Sequence, residues 1–129
     1  MASTYDTIIE QGATWTRTFL CQKADGTAVD LYGATARMQV RPTITSETIL
    51  LSATFKIDPL AGSILATITP EDSAAVNITK LDQGKVTENG VTAKGGLAVY
   101  DLELVLPTTP ESVVRLVQGR VLISPEVTR

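Results

Sequence analysis

The chain has no histidine, a single cysteine (Cys21) and only six aromatic side chains in 129 residues. Without histidine there is no Ser-His-Asp triad, no Cys-His pair and no His-ligated metal. One cysteine cannot form an intramolecular disulfide or a thiolate zinc cluster. Long hydrophobic runs are missing as well: no stretch approaches the roughly 20 apolar residues of a membrane span. Charge is sparse, with 11 Lys+Arg against 14 Asp+Glu and a net charge of −3. Such a chain lacks the basic footprint of a nucleic-acid binder. The opening Met1-Ala2-Ser3-Thr4-Tyr5-Asp6 has neither a basic region nor an apolar core, so it does not read as a secretory signal.

What is present is β-branched. Thr, Val and Ile number 19, 12 and 9, or 40 of 129 residues. These side chains are stiff at χ1 and suit a pleated surface, so composition points to an all-β domain. The length is that of one domain, residues 1–129.

Periodicity places the strands. In Ala13–Gln22, Trp15, Arg17, Phe19 and Cys21 share one parity, with Arg17 reaching the edge of a core face. Cys21 reads as a small buried hydrophobe. Asp25-Gly26 marks a turn. Thr35–Arg41 alternates cleanly: Ala36, Met38 and Val40 point inward, while Arg37 and Arg41 lie on a polar sheet face that can meet an acidic partner. Pro42 ends that strand. Thr48–Phe55 reads as one strand, and Ser63–Thr69 as another with Ile64, Ala66 and Ile68 on one face. Thr69-Pro70-Glu71-Asp72 carries the signals of a helix start, giving one short helix near 70–76.

Residues 77–96 are the least regular. Asn89-Gly90 between two β-like stretches predicts a two-residue hairpin turn. The segment reads as a long loop or projecting hairpin arm, with Lys80, Lys85, Glu88, Asn89 and Lys94 as candidate partner contacts. On this reading, removing residues 80–94 leaves a folded domain. Leu97–Leu106 and Ser112–Ile123 form an antiparallel pair, with Ala98, Tyr100, Leu102, Leu104 and Leu106 inward; in the second strand Val114, Leu116 and Gln118 share one face. About seven strands at this spacing suggest a sandwich or a small barrel.

No constellation for catalysis emerges. Asp101 and Glu103 are two apart on one strand, but no sugar-stacking aromatics accompany them, and they read as the wet face of that strand. Gly95-Gly96 lacks the Lys-Ser/Thr and the strand-to-helix setting of a phosphate loop. The chain reads as a non-enzyme with no cofactor, no metal site and no catalytic residue.

The order of its motifs resembles small tailed-bacteriophage proteins, namely the N-terminal domain of phage baseplate upper and related fibre-anchoring proteins. Gln11–Trp15 with Asp25–Gly33, Ala34–Arg41, Gly62–Ala75, and Val99–Leu104 followed by Val114–Val121 and Ser124–Arg129 carry the likeness. The resemblance implies an immunoglobulin-like antiparallel β-sandwich with a structural role in a virion, as a tail or baseplate component or a fibre-attachment adaptor. Its partners would be other virion proteins, in repeated symmetric copies or a homo-oligomer, with no nucleic acid or membrane involved. It would be made in the host bacterial cytoplasm. A head decoration protein clamping capsid subunits fits the same features, and a carbohydrate-binding module for host adsorption fits them less well. The 77–96 segment departs from the family pattern and marks the place where partner specificity is expected.

Overall fold

The computed structural model describes residues 3–126; Met1, Ala2 and Val127–Arg129, the last closing one of the motifs above, lie outside the described residues. The strands are β1 (Ser3–Thr4), β2 (Thr7–Glu10), β3 (Trp15–Leu20), β4 (Thr35–Arg41), β5 (Leu51–Ser52), β6 (Thr54–Asp58), β7 (Ser63–Ile68), β8 (Asp82–Glu88), β9 (Val91–Leu106) and β10 (Ser112–Ser124). One helix, α1 (Pro70–Ala74), and a 3-10 turn (Ile78–Lys80) lie between β7 and β8. The chain is an all-β sandwich: β3, β7 and β6 form a three-stranded sheet, and the other strands form a seven-stranded one.

The large sheet is built around β9 and β10, paired antiparallel from Leu106–Ser112 to Gly96–Ile123. On the other flank of β9, β4 pairs with residues 99–105 and β8 with residues 91–97, so two strands share that flank end to end. On the other flank of β10, β1 and β2 pair parallel. These two parallel contacts depart from the expected all-antiparallel pattern. Between them, Asp6 accepts the Arg120 backbone N–H at 2.9 Å, so a side chain stands in for a strand carbonyl.

The core lies between the sheets. Ile9, Met38, Val40, Leu102, Val121 and Ile123 of the large sheet meet Trp15, Ala66 and Ile68 of the small one. The inward sets of β4, β7 and β9 are those given by alternation, and Ile64, Ala66 and Ile68 are fully enclosed. Thr69 caps α1 as its spacing predicts, accepting from the Asp72 N–H, with Pro70 at the first turn. Cys21 is half-buried against the Leu31–Ile64–Leu104 cluster, and burial raises its thiol pKa.

Two stretches differ from the pattern reading. Thr48–Phe55 is not one strand: β5 pairs with β4 in the large sheet, and after Ala53 the chain enters β6 in the small sheet. Leu51 is buried on one side of this corner, and Phe55 and Ile57 pack from the other, so the segment feeds both layers. In β10 a bulge falls between Arg115 and Val117. Before it, Val114 opposes the core residue Leu104; after it, Val117 opposes Leu102 and Gln118 opposes Asp101. The extra residue reverses the parity, so Val117 turns inward and Gln118 outward.

Candidate functional site

The outward face of β4, β9 and β10 carries a grid of charged side chains. Register sets Arg37 beside Glu103 and Glu103 beside Arg115; the next rung is Gln39, Asp101, Gln118, and the next Arg41, Val99, Arg120. Four of the chain's six arginines therefore share one sheet face. Arg37 Nε meets Glu103 Oε1 at 2.6 Å, Arg115 Nε meets Asp101 Oδ2 at 3.3 Å, and Arg120 Nη2 meets Asp6 Oδ2 at 3.0 Å. Asp101 and Glu103, the acid pair noted in the sequence, are thus each paired with an arginine.

Arg41 differs from its neighbours. Its guanidinium donates to the Ser46 carbonyl and to Gln39 Oε1, both at 2.8 Å, and among the described residues it has no carboxylate partner. It lines a groove of about 670 Å³ on this face, bounded by Thr43 and Ile44 on one side and Thr4 and Asp6 on the other. Three acids against four arginines leave the face one positive charge in a chain of net charge −3. The sequence-predicted pair Arg37 and Arg41 thus lies on one polar face; among the described residues Arg37 has an acid beside it and Arg41 has none.

The 77–96 segment forms the expected hairpin. Asn89 (φ 50°) and Gly90 (φ 81°) both take the left-handed conformation that a tight two-residue turn requires. The reading of this hairpin as a free arm is corrected. β8 is separated from β2 by β9 and β10 in the large sheet, yet Glu88 at its end accepts the Ile8 N–H at 2.9 Å. The hairpin therefore curls back over the domain and buries Val86 with Ile8 and Leu122. Gly95 and Gly96 sit mid-strand rather than in a loop. A Cβ on Gly95 would collide with the Ile123 carbonyl oxygen, so glycine permits the close approach.

Glu88, named above as a partner contact, is instead turned inward and only 7% exposed. Its carboxylate accepts from Arg17 Nε and Nη2, each at 2.8 Å, from Thr7 Oγ1, from the Ile8 N–H and from the Tyr5 hydroxyl. Trp15 Nε1 donates to Thr7 Oγ1 at 3.1 Å, and the Arg17 guanidinium lies 5.3 Å from the Trp15 ring centroid. Tyr100 donates to the Tyr5 carbonyl at 2.5 Å. Burial alone would raise the Glu88 pKa. Hydrogen bonds from Arg17, Tyr5 and Ile8 and the Arg17 charge outweigh it and hold the carboxyl at about 2. The same bond raises Arg17, and burial with the adjacent Glu88 raises Tyr5. This cluster joins residues 5–17 to Glu88 and Tyr100, far away in sequence, and its chemistry is that of a latch.

The remaining predicted arm residues do face outward: Lys80, Lys85, Asn89 and Lys94 are exposed. Lys85 stands directly opposite Lys94 across the hairpin. Like charges in that position oppose each other, so an acidic partner would relieve the pair. Sequence reasoning missed the Glu88 cluster. The signal was Arg17 on the same parity as Trp15 and Phe19, because a cation on an inward face calls for a buried acid. No protein-family model matches the chain, and no curated protein is found similar to it.

Proposed function

We propose that this chain is a non-catalytic structural subunit of a tailed-phage particle, a tail or baseplate component or fibre-attachment adaptor. Its charged sheet face would seat an acidic segment of a neighbouring virion protein. The observation that carries the proposal is the grid on β4, β9 and β10, where ordered ion pairs border a groove whose Arg41 has no acid partner among the described residues. Charged groups fixed on paired strands lose little freedom on docking, so they favour a registered contact over a loose one. The outward Lys85 and Lys94 add a second cationic element on the hairpin. The sequence resemblance supplies the particle; the grid supplies the manner of attachment.

Reversing the charge tests it. In cells producing the particle, the parent chain co-sediments with assembled particles, and Arg41→Glu lowers its incorporation while leaving the circular dichroism and melting of the free chain unchanged. Equal incorporation of Arg41→Glu would contradict docking through this face. Absence of the parent from particles would contradict the particle reading.

A further inference from the structure

The tip of the β8–β9 hairpin places a reactive side chain beside the Glu88 latch. An asparagine can close on the next backbone nitrogen to give a succinimide ring, and a following glycine has no side chain to block the approach. The chain has two asparagines. Asn77 precedes β-branched Ile78, and its Oδ1 accepts from the Thr79 N–H at 3.2 Å and from Thr79 Oγ1 at 2.6 Å. Asn89 precedes Gly90 and is exposed, and among the described residues its side-chain amide has no hydrogen-bond partner. Gly90 has open space where a Cβ would stand. Its nitrogen lies beyond the closing pair Glu88–Val91 and so outside the ladder. The comparable Asp25-Gly26 turn offers a carboxylate, a poorer electrophile, and Thr27 holds it through an N–H at 3.0 Å and a hydroxyl at 2.6 Å.

We propose that Asn89 is a site of spontaneous deamidation and that its isoaspartyl product unfastens the hairpin tip from β2. The Gly90 nitrogen loses its proton to hydroxide and attacks Asn89 Cγ. The new N–Cγ bond forms, the Cγ–Nδ2 bond breaks, and ammonia leaves with a proton from water. Water then opens the imide at one of its two carbonyls. Cleavage on the Cγ side gives aspartate; cleavage on the main-chain side gives isoaspartate, whose backbone runs through Cβ. The attack needs Asn89 to rotate out of its left-handed conformation (φ 50°), and a hairpin tip is where such opening is cheapest. Isoaspartate puts an extra atom into a loop that closes with two residues in fixed left-handed conformations. It also leaves a carboxylate one residue from Glu88, whose own carboxylate holds Arg17, Thr7 and the Ile8 N–H. A shifted turn and a like charge both act against that contact. The inference holds whether or not the chain belongs to a particle.

Warm incubation of the folded chain at mildly alkaline pH, followed by peptide mapping, tests it. The fragment with residue 89 should gain the mass difference between an amide and an acid and become a substrate for an isoaspartyl methyltransferase. The fragment with Asn77 should do neither. Asn89→Gly keeps a sequence that suits both left-handed positions and removes the amide, so it should show no conversion. In the converted fraction the Ile8 amide, which donates to Glu88, should lose its hydrogen-exchange protection while Leu102 in the core keeps its own. Asn89→Gly should stay protected at Ile8 through the same incubation. Conversion of residue 89 only after urea has unfolded the chain would overturn the inference, because the fold would then shield the site. Conversion of Asn77 as fast as Asn89 would overturn it, and so would a converted fraction that keeps Ile8 protected.

Discussion

Replacing Glu88 by glutamine keeps the shape of the latch and removes its charge. The folded carboxyl titrates at about 2 against an ordinary 4.5, a preference for the charged form of about 3 kcal/mol. Arg17, its main partner, is a third exposed, so solvent screens the pair and about 2 kcal/mol is expected to reach stability. Because the folded value lies below the unfolded one, this contribution is complete above about pH 4.5 and is lost as the pH falls toward 2. A protonated Glu88 is chemically close to a glutamine in the same place. Urea unfolding of parent and Glu88→Gln should therefore differ by about 2 kcal/mol at neutral pH and converge in acid, with more than half the gap closed by about pH 3. A gap that stays constant between neutral pH and about pH 2 would refute the assignment, as would no gap at neutral pH.

Other perturbations follow from the same packing. Excising residues 80–94 removes β8, Val86 and Glu88 and is expected to abolish the cooperative melt, contrary to the reading of a dispensable arm; a sharp transition in the deletion would contradict the curled hairpin. Gly95→Ala drives a methyl into the Ile123 carbonyl oxygen and should cost at least about 2 kcal/mol by chemical denaturation. Leu102→Asp buries an unpaired charge in the centre of the core and should leave the chain unfolded by circular dichroism. Thr69→Ala removes the helix cap and should cost about 1 kcal/mol, a small shift in the urea midpoint.

Local signals carried much of this fold. The alternation of Thr35–Arg41, the Thr69-Pro70 cap and the Asn89-Gly90 turn each act over a few residues, and each appears where its chemistry requires. The misreadings share a different cause. The bulge at Leu116 is one extra residue whose place depends on the strand opposite, and the corner at Ala53 depends on there being two layers to join. Gly84, Gly95 and Gly96 look like loop residues in sequence, yet they are strand positions where neighbouring groups approach closely. Arg37 and Arg41 were legible as a polar face from parity alone. That Arg37 is neutralised and Arg41 is not became visible only with the register of β9, which brings Glu103 to the first and Val99 to the second. Glu88 was named for its place near a hairpin tip, and only the curl of that hairpin turns it toward Arg17, 71 residues away.

The reading of this chain as an assembly subunit is tested most directly by where it resides. A gold-labelled antibody against the chain, applied to particles purified from lysing cultures that encode it, should mark the tail or its baseplate at a fixed position. Labelling of the head shell, or recovery of the chain only in the particle-free fraction, would contradict the account.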